Sequence, residues 1–495
     1  MYRTHKAKQL DLFTQIAPIM DVLDREDEII KLADSIDWDY IEKIYSRNFT
    51  STKKSGNPNN YPARVAFGAL FLKQYSGLTD RQLVQQIKQN PYWQYFLGYE
   101  EYSPMNTFHP STMVDFRKRF PEDFLNELNA RNAQKVIDKW NNSAKKDGKK
   151  DDQDDHENNQ DNDQSASSPE DSDQAAPSDE PVQNHGTVKI DAICCVADVA
   201  FPTDLNLLNK SRIWTEKCID HLYATYGSLN KNGTKPRTYR QEARNKYHAF
   251  VKHSRVRKTK TMRNAVKEQL GYVKRNLKTI DHYISEFPDC LDSLFPVERN
   301  RLETVRIVYD QQQGMYKSKS HTVENRIISL SQPYIRPIVR GKQKAKVEFG
   351  AKLSISVVEG YTFIDKLSFD SYNEGTHEEF LTVMENYRNR FGCYPEKVLA
   401  DKIYGNRQNR KWCKEHGIHL SAEPLGRKRK DQREQRQQKR QDTSERNEVE
   451  CKFGNLKRRW GMDLITSKLE ATGKTEITMS IVTMNLIRNT RLSQA

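Results

Sequence analysis

Apolar positions in the first 140 residues recur at helical spacing. From Pro62 to Tyr75, Val65, Ala69 and Leu72 mark one face, and Gly77 follows where a left-handed C-cap belongs. Thr79 and Gln82 make a Thr-x-x-Gln capping box that opens a second helix through Ile87, and Asn90-Pro91 ends it. Ser111 starts a third, running through Val114 and Phe116 to Phe120. Residues 142–187 hold almost nothing apolar, which predicts a disordered acidic linker. Order returns at Val188–Val196, a buried-strand pattern with Asp191 set into it. A mainly helical stretch follows over about 203–310. Strands are then expected over Arg326–Leu330, Glu348–Val358 and Tyr361–Phe369, the last two joined by a hairpin at Glu359-Gly360. A helix from His377 to Arg390 precedes a short parallel strand, Lys397 to Asp401. Asn406–His416 is helical with Gly417 as C-cap, Ile418–Pro424 is another strand, and about 426–445 reads as a basic mobile loop. In the last major helix Val449, Phe453, Leu456 and Trp460 recur at i, i+4, i+7 and i+11, one apolar stripe.

Charge narrows the partners. The 495 residues carry a net +14, and the 145–180 block, with four Lys against 13 Asp and Glu, hides part of it. That block sums to −9, which leaves +23 for the remainder. Such an excess favours a polyanion over a small-molecule substrate. Between Lys231 and Arg263 stand twelve Lys and Arg, with Tyr239, Tyr247 and Phe250 interleaved. Arg237, Arg240, Arg244, Lys246, Arg255 and Lys258 are therefore candidate phosphate contacts. Short N-terminal helices on tight turns permit a helix-turn-helix reader, and equally a plain bundle. No apolar run approaches a membrane span and the N-terminus lacks a signal-peptide core. The seven cysteines show no CxxC pair. Both point to a cytoplasmic protein with no membrane partner.

Three carboxylates carry the candidate chemistry. An Asp inside an apolar strand costs several kcal/mol unless it is paired or binds a metal, so Asp191 is conspicuous. Asp401 ends a strand, where active sites of open α/β sheets gather. On the last helix Arg446, Glu450 and Lys457 fall within about 40° of one another at 100° per residue. Asp198 competes with Asp191 as the first acid, and Glu448 with Glu450 as the third. In a ribonuclease H-like sheet the first and fourth strands are neighbours and the last helix crosses them, so the three acids could meet. Oxygen donors of this kind select Mg²⁺ or Mn²⁺. Two such ions would clamp an in-line phosphoryl displacement.

The chain resembles a bacterial insertion-sequence transposase of the DDE class. The likeness rests on Leu78-Thr79-Asp80-Arg81-Gln82-Leu83-Val84 and Pro91-Tyr92-Trp93-Gln94-Tyr95-Phe96-Leu97-Gly98 in the helical N-terminal part. Phe201-Pro202-Thr203-Asp204-Leu205 and Leu207-Leu208-Asn209 resemble the stretch after the first acid, and Ile335–Lys342 and Glu348–Lys352 the central strands. Ala400-Asp401-Lys402-Ile403-Tyr404-Gly405 is similar to the second acidic motif. The third motif of such families is a Tyr-Arg-Glu-Lys pattern; Arg446, Glu450 and Lys457 match it, while Thr443 stands at the tyrosine position. The resemblance implies an α/β catalytic domain at 188–495, with a ribonuclease H-like mixed sheet flanked by helices and the helical insertion within it. It implies an all-α DNA-binding domain at 1–141. Asp191, Asp401 and Glu450 would hold two Mg²⁺ or Mn²⁺ ions, and Arg446, Lys457 and Arg458 would hold DNA. The partners implied are double-stranded DNA, as terminal inverted repeats and as target, and a second copy in a homodimer or larger synaptic complex. The bacterial setting implies association with the nucleoid. Two rivals share the pattern: a catalytically silent DNA-binding protein of the same fold, and a ribonuclease H-like nuclease.

Overall fold

A six-stranded mixed sheet is the centre of the computed structural model, which describes residues 23–47, 61–105, 107–147, 183–227, 233–252, 259–339, 347–422 and 433–494. Its strands are β1 (Thr187–Val196), β2 (Arg336–Val339), β3 (Val347–Val358), β4 (Tyr361–Ser368), β5 (Lys397–Leu399) and β6 (His419–Ser421). The order is β2-β3-β1-β5-β6, with β4 sharing the outer edge of β3. β3 runs antiparallel to β1, β2 and β4, whereas β1, β5 and β6 are parallel. Glu359 and Gly360 turn β3 into β4 with φ of 49° and 79°, the double left-handed geometry of a tight hairpin that follows the strands' twist.

Alternation along β1 divides the core. Val188 and Ile190 face one way, onto Phe363, Phe380, Met384 and Tyr387, which the helix His377–Phe391 supplies together with β4. Ile193 and Cys195 face the other way, with Leu353 and Ile355 of β3 and with Val449, Phe453, Leu456 and Trp460. The predicted stripe of the Arg433–Arg459 helix is thus the side that covers the sheet. Behind it lies a further long helix, Glu470–Gln494, buried on most of its circumference. The N-terminal helices pack on that last helix and share its core: Phe67, Phe71, Leu83, Phe96 and Phe116 belong to the same cluster as Ile477, Ile481 and Ile487. Gly77, at φ 68°, ends the helix Ala63–Ser76, and Thr79 and Gln82 form the expected capping box.

Five expectations change. Arg326–Leu330 is not a strand: Ile327 and Leu330 enter the core of the helical insertion while Ile328 enters the sheet core, so the apolar run is a connector between two cores. The insertion continues to Ser318, built on Asp204–Tyr226, Arg240–Lys252, Thr259–Glu286 and Pro296–Ser318. Of the basic loop expected at about 426–445, residues 423–432 lie outside the described residues, and from Arg433 onward the chain is helical. Its Arg, Glu, Gln and Lys are strong helix formers, and Gln438–Asp442 and Gln441–Glu445 bond at i,i+4. The helix carrying Glu450 is also not the last major one. The acidic stretch 148–182 lies outside the described residues, and 142–147 extend the helix Glu122–Asp147.

Candidate active site

Strand register aligns the first two acids. β1 pairs with β5 at Thr187/Lys397, Val188/Val398 and Lys189/Leu399. Two residues beyond the end of that ladder, the same register sets Asp191 beside Asp401. Neighbouring strands lie about 4.8 Å apart, and residues two apart share a face. Lys189 and Asp191 therefore point toward the Arg433–Arg459 helix, as Lys397 and Asp401 do.

That helix is fastened by ion pairs that ascend the sheet. Lys397 Nζ lies 2.6 Å from Asp442 and 3.3 Å from Glu445. Lys189 Nζ lies 2.7 Å from Glu448. At the next level the signs exchange, because the sheet presents Asp191 and the helix presents Arg446. One guanidinium nitrogen of Arg446 is 3.8 Å from Asp191 and the other is 3.3 Å from Glu450.

Electrostatics ties the three acids together. Burial raises the Asp191 carboxyl above its ordinary value; the Ala192 N–H and Arg446 pull it back, and the charges of Asp401 and Glu450 push it up again. Asp401 and Glu450 are exposed, and Asp191 is half-buried. Among the described residues no three His, Cys, Asp or Glu side chains form a group that could hold a metal ion. Arg446 bridges Asp191 and Glu450 instead, as a cation between two anions. The donors are all carboxylate oxygens, the set that hard divalent cations take.

The competing acids are otherwise engaged. Asp198 pairs with Lys468 at 2.7 Å, and Glu448 is held by Lys189. Lys457 is half-buried and Arg458 exposed. Thr443 turns its hydroxyl to the Lys439 carbonyl, 2.8 Å away. In the insertion, Arg240 is bonded to Asp220 at 2.8 Å and Lys246 to Glu242 at 3.0 Å. Arg237 stands 6.0 Å from the ring centre of Tyr239, and Arg244 is exposed. Arg255 and Lys258 lie outside the described residues.

Sequence reasoning missed four polar residues around these acids. Lys189 and Lys397, which dock the helix, carried a signal in their spacing of two and four residues before an acid. Tyr404 is buried after Asp401; burial raises its hydroxyl well above the ordinary value, and the nearby Asp191 and Glu374 charges add to this. Glu374 reaches it from a loop and pairs with Lys352, with no pattern in the sequence to mark it.

The Asp442 contact makes a stability prediction. Burial opposes ionisation of Asp442, but Lys397, Ser421 and Gln438 together hold its carboxyl below the ordinary value. A depressed folded value stabilises above the unfolded carboxyl range, and that gain disappears as pH falls through the folded value. Asp442→Ala leaves Lys397 short of its closest anion and costs about 2 kcal/mol at neutral pH. In urea denaturation the difference between variant and parent should shrink in acid.

Comparison with known proteins gives three findings. A family model described as a transposase DDE domain matches residues 398–487, a span that contains Asp401 and Glu450. A second, described as transposase domain DUF772, matches residues 18–119. A curated Rhizobium meliloti protein, named uncharacterized protein ORF8 in nfe locus, is 29% identical over 107 residues, 22% of this chain. The match covers 50% of that protein, so the chain spans about half the length of its relative. No solved structure matches the chain.

Proposed function

We propose that this chain, a DDE-type transposase on the evidence of its two family matches, binds the terminal inverted repeats of an insertion sequence, cuts the element ends and transfers the freed 3′-hydroxyls into target DNA. What supports the proposal is the geometry around Asp191: strand register runs Asp401 alongside it, and Arg446 lies 3.8 Å from Asp191 and 3.3 Å from Glu450. The strand order, with the first long strand between an antiparallel partner and a parallel one, supports reading the sheet as ribonuclease H-like.

In this reading Asp191, Asp401 and Glu450 hold two Mg²⁺ or Mn²⁺ ions. Bound there, the ions would lower the pKa of an attacking water and neutralise charge on the attacking and leaving oxygens. The chain's own residues do the rest. Asp191 is fixed by its strand and Asp401 by its place beyond β5, so neither needs to be ordered on binding. Arg446 and Lys457 lie on one face of their helix beside Glu450 and take the phosphates that flank the scissile bond, with Arg458 alongside. Arg446 then exchanges carboxylate partners for a phosphate, keeping its charge paired. Arg237, Arg240, Arg244, Lys246, Arg255 and Lys258 and the N-terminal helices supply backbone affinity and end recognition. Joining two ends calls for a homodimer or larger synaptic complex in the nucleoid.

The test is cleavage of a duplex carrying the repeats that flank the gene. Nicking at the repeat boundary should require Mg²⁺ or Mn²⁺ and stop with EDTA. An RNA–DNA hybrid of the same sequence should be left intact. Preferential hybrid cleavage would move the protein to the nucleases, and binding without any cut would make it a silent relative.

A further inference from the structure

The helix that carries Glu450 has a second charged side. Arg446, Glu450 and Lys457 fall on one face, whereas Lys452, Asn455 and Arg459 are turned some 140–200° away from Glu450 at 100° per residue. On that far side Lys452, Asn455 and Arg459 meet Arg488 and Arg491 of the last helix around a pocket of about 240 Å³, with Trp460 in its wall. Among the described residues four cations line it and no carboxylate does.

Two of these cations are built in. Lys452 is half-buried and donates to the Gly360 carbonyl at 2.5 Å. Arg488 donates to the Glu359 carbonyl at 3.0 Å and lies 5.2 Å from the ring centre of Tyr361, while its Nε is buried without a hydrogen-bond partner among the described residues. The other two are open to solvent. Arg459 is exposed with no ion-pair partner among the described residues, and Arg491 reaches only Glu28, at 3.9 Å between two exposed side chains. Burial lowers the ammonium of Lys452 and the neighbouring Arg488 lowers it further, against a smaller opposing pull from Glu448. Four cations held together around this pocket repel one another, and among the described residues no carboxylate lines it.

We propose that this pocket takes a phosphate of a DNA backbone lying on the flank opposite the three acids, so that one helix contacts two separate DNA segments. A phosphodiester fits the chemistry: a small, tetrahedral, singly charged anion accepts from several guanidinium and ammonium donors, and a volume of 240 Å³ admits it without a base. A strand engaged by Glu450 and Lys457 lies across the apolar stripe from here, so this phosphate belongs to a different stretch of DNA. The identification of the anion as DNA rests on the transposase reading; the cationic pocket itself does not.

The experiment is fluorescence anisotropy of the full chain with a short labelled duplex over a series of salt concentrations, beside calorimetry with inorganic phosphate. The exposed pair Arg459→Gln/Arg491→Gln avoids the two cations that bond to backbone, and its fold is checked by thermal melting. Losing one phosphate contact should lower the logarithmic salt slope by about 0.9 and weaken binding roughly tenfold at low salt, with Arg459→Lys/Arg491→Lys restoring most of both. An unchanged slope and affinity would overturn the proposal. So would loss of phosphate-ion binding in calorimetry with duplex binding intact, which would make the pocket a site for a free anion. Metal-dependent cleavage is read separately, so persistence of cutting after loss of Asp401 would refute the catalytic assignment and leave this one standing.

Discussion

Asp401→Ala is expected to abolish metal-dependent nicking, by at least about 10³-fold, while leaving the affinity for duplex DNA within a few-fold of the parent or slightly higher. Asp401 is exposed beyond β5, where its carboxylate accepts from the Lys402 N–H at 2.7 Å as the cap of a short turn, so its loss removes an oxygen donor and a negative charge at a capping cost of about 1 kcal/mol. Asp191→Ala should act equally on cleavage. It also releases Arg446 from one of its two anions, so its DNA affinity should rise more than that of Asp401→Ala. Glu448→Ala gives the control. It is the other acid near this level of the helix but is engaged by Lys189, and its removal should loosen the helix without ending catalysis. Gel-based nicking of supercoiled plasmid beside anisotropy measures both quantities. Full activity in Asp401→Ala, or a dead Glu448→Ala that folds and binds normally, would displace the assignment.

Much of the scaffold is legible in the sequence. The run Val188–Val196 interrupted by one acid is a strand, since an apolar segment of that length between breakers has few other uses. Glu359-Gly360 is a hairpin turn because strand-forming residues flank it, Val357 and Val358 on one side and Tyr361 and Thr362 on the other. The stripe Val449/Phe453/Leu456/Trp460 found its core because a helical period is a direct statement about which side is dry. What stayed hidden depends on contacts between segments distant in the chain. Lys189 and Lys397 looked like ordinary polar positions on strands; their work is visible only once Glu448, Asp442 and Glu445 lie over them. The residues from Arg433 to Glu445 looked like a mobile loop because they carry no apolar stripe, yet Asp442 is buried by an ion pair rather than by hydrophobic contact. The helix Glu470–Gln494 is covered nearly all round, so it shows no single stripe. Its Thr475 hydroxyl donates to the Arg117 and Phe120 carbonyls, which no local pattern announces. For the site, residue types and their contexts were legible, whereas the placement of Arg446 between two of the acids required the fold.

Arg390→Met should be the most destabilising of the substitutions considered, at about 3–5 kcal/mol, because it strands a buried charge. Asp365 on β4 is fully enclosed, and Arg390, from the helix His377–Phe391, meets it at 2.7 Å. The same guanidinium donates to the Ile364 carbonyl at 2.5 Å and to Ser356 Oγ at 3.2 Å. Ser356 lies on β3 directly across from Ile190, the residue before Asp191. One side chain therefore ties a covering helix to β4 and to β3, the antiparallel neighbour of β1. Burial raises the Asp365 carboxyl and Arg390 works against that rise, so with methionine in place the acid must either ionise unpaired or take up a proton in the core, and both cost free energy. Arg390→Met/Asp365→Leu removes both charges and should recover most of the loss, since an apolar pair of similar volume does not need desolvated partners. Chemical denaturation of the single and double variants measures the coupling. Additive losses would show that the two residues act independently, and the fastening of β1 would then have to be sought in hydrophobic packing alone.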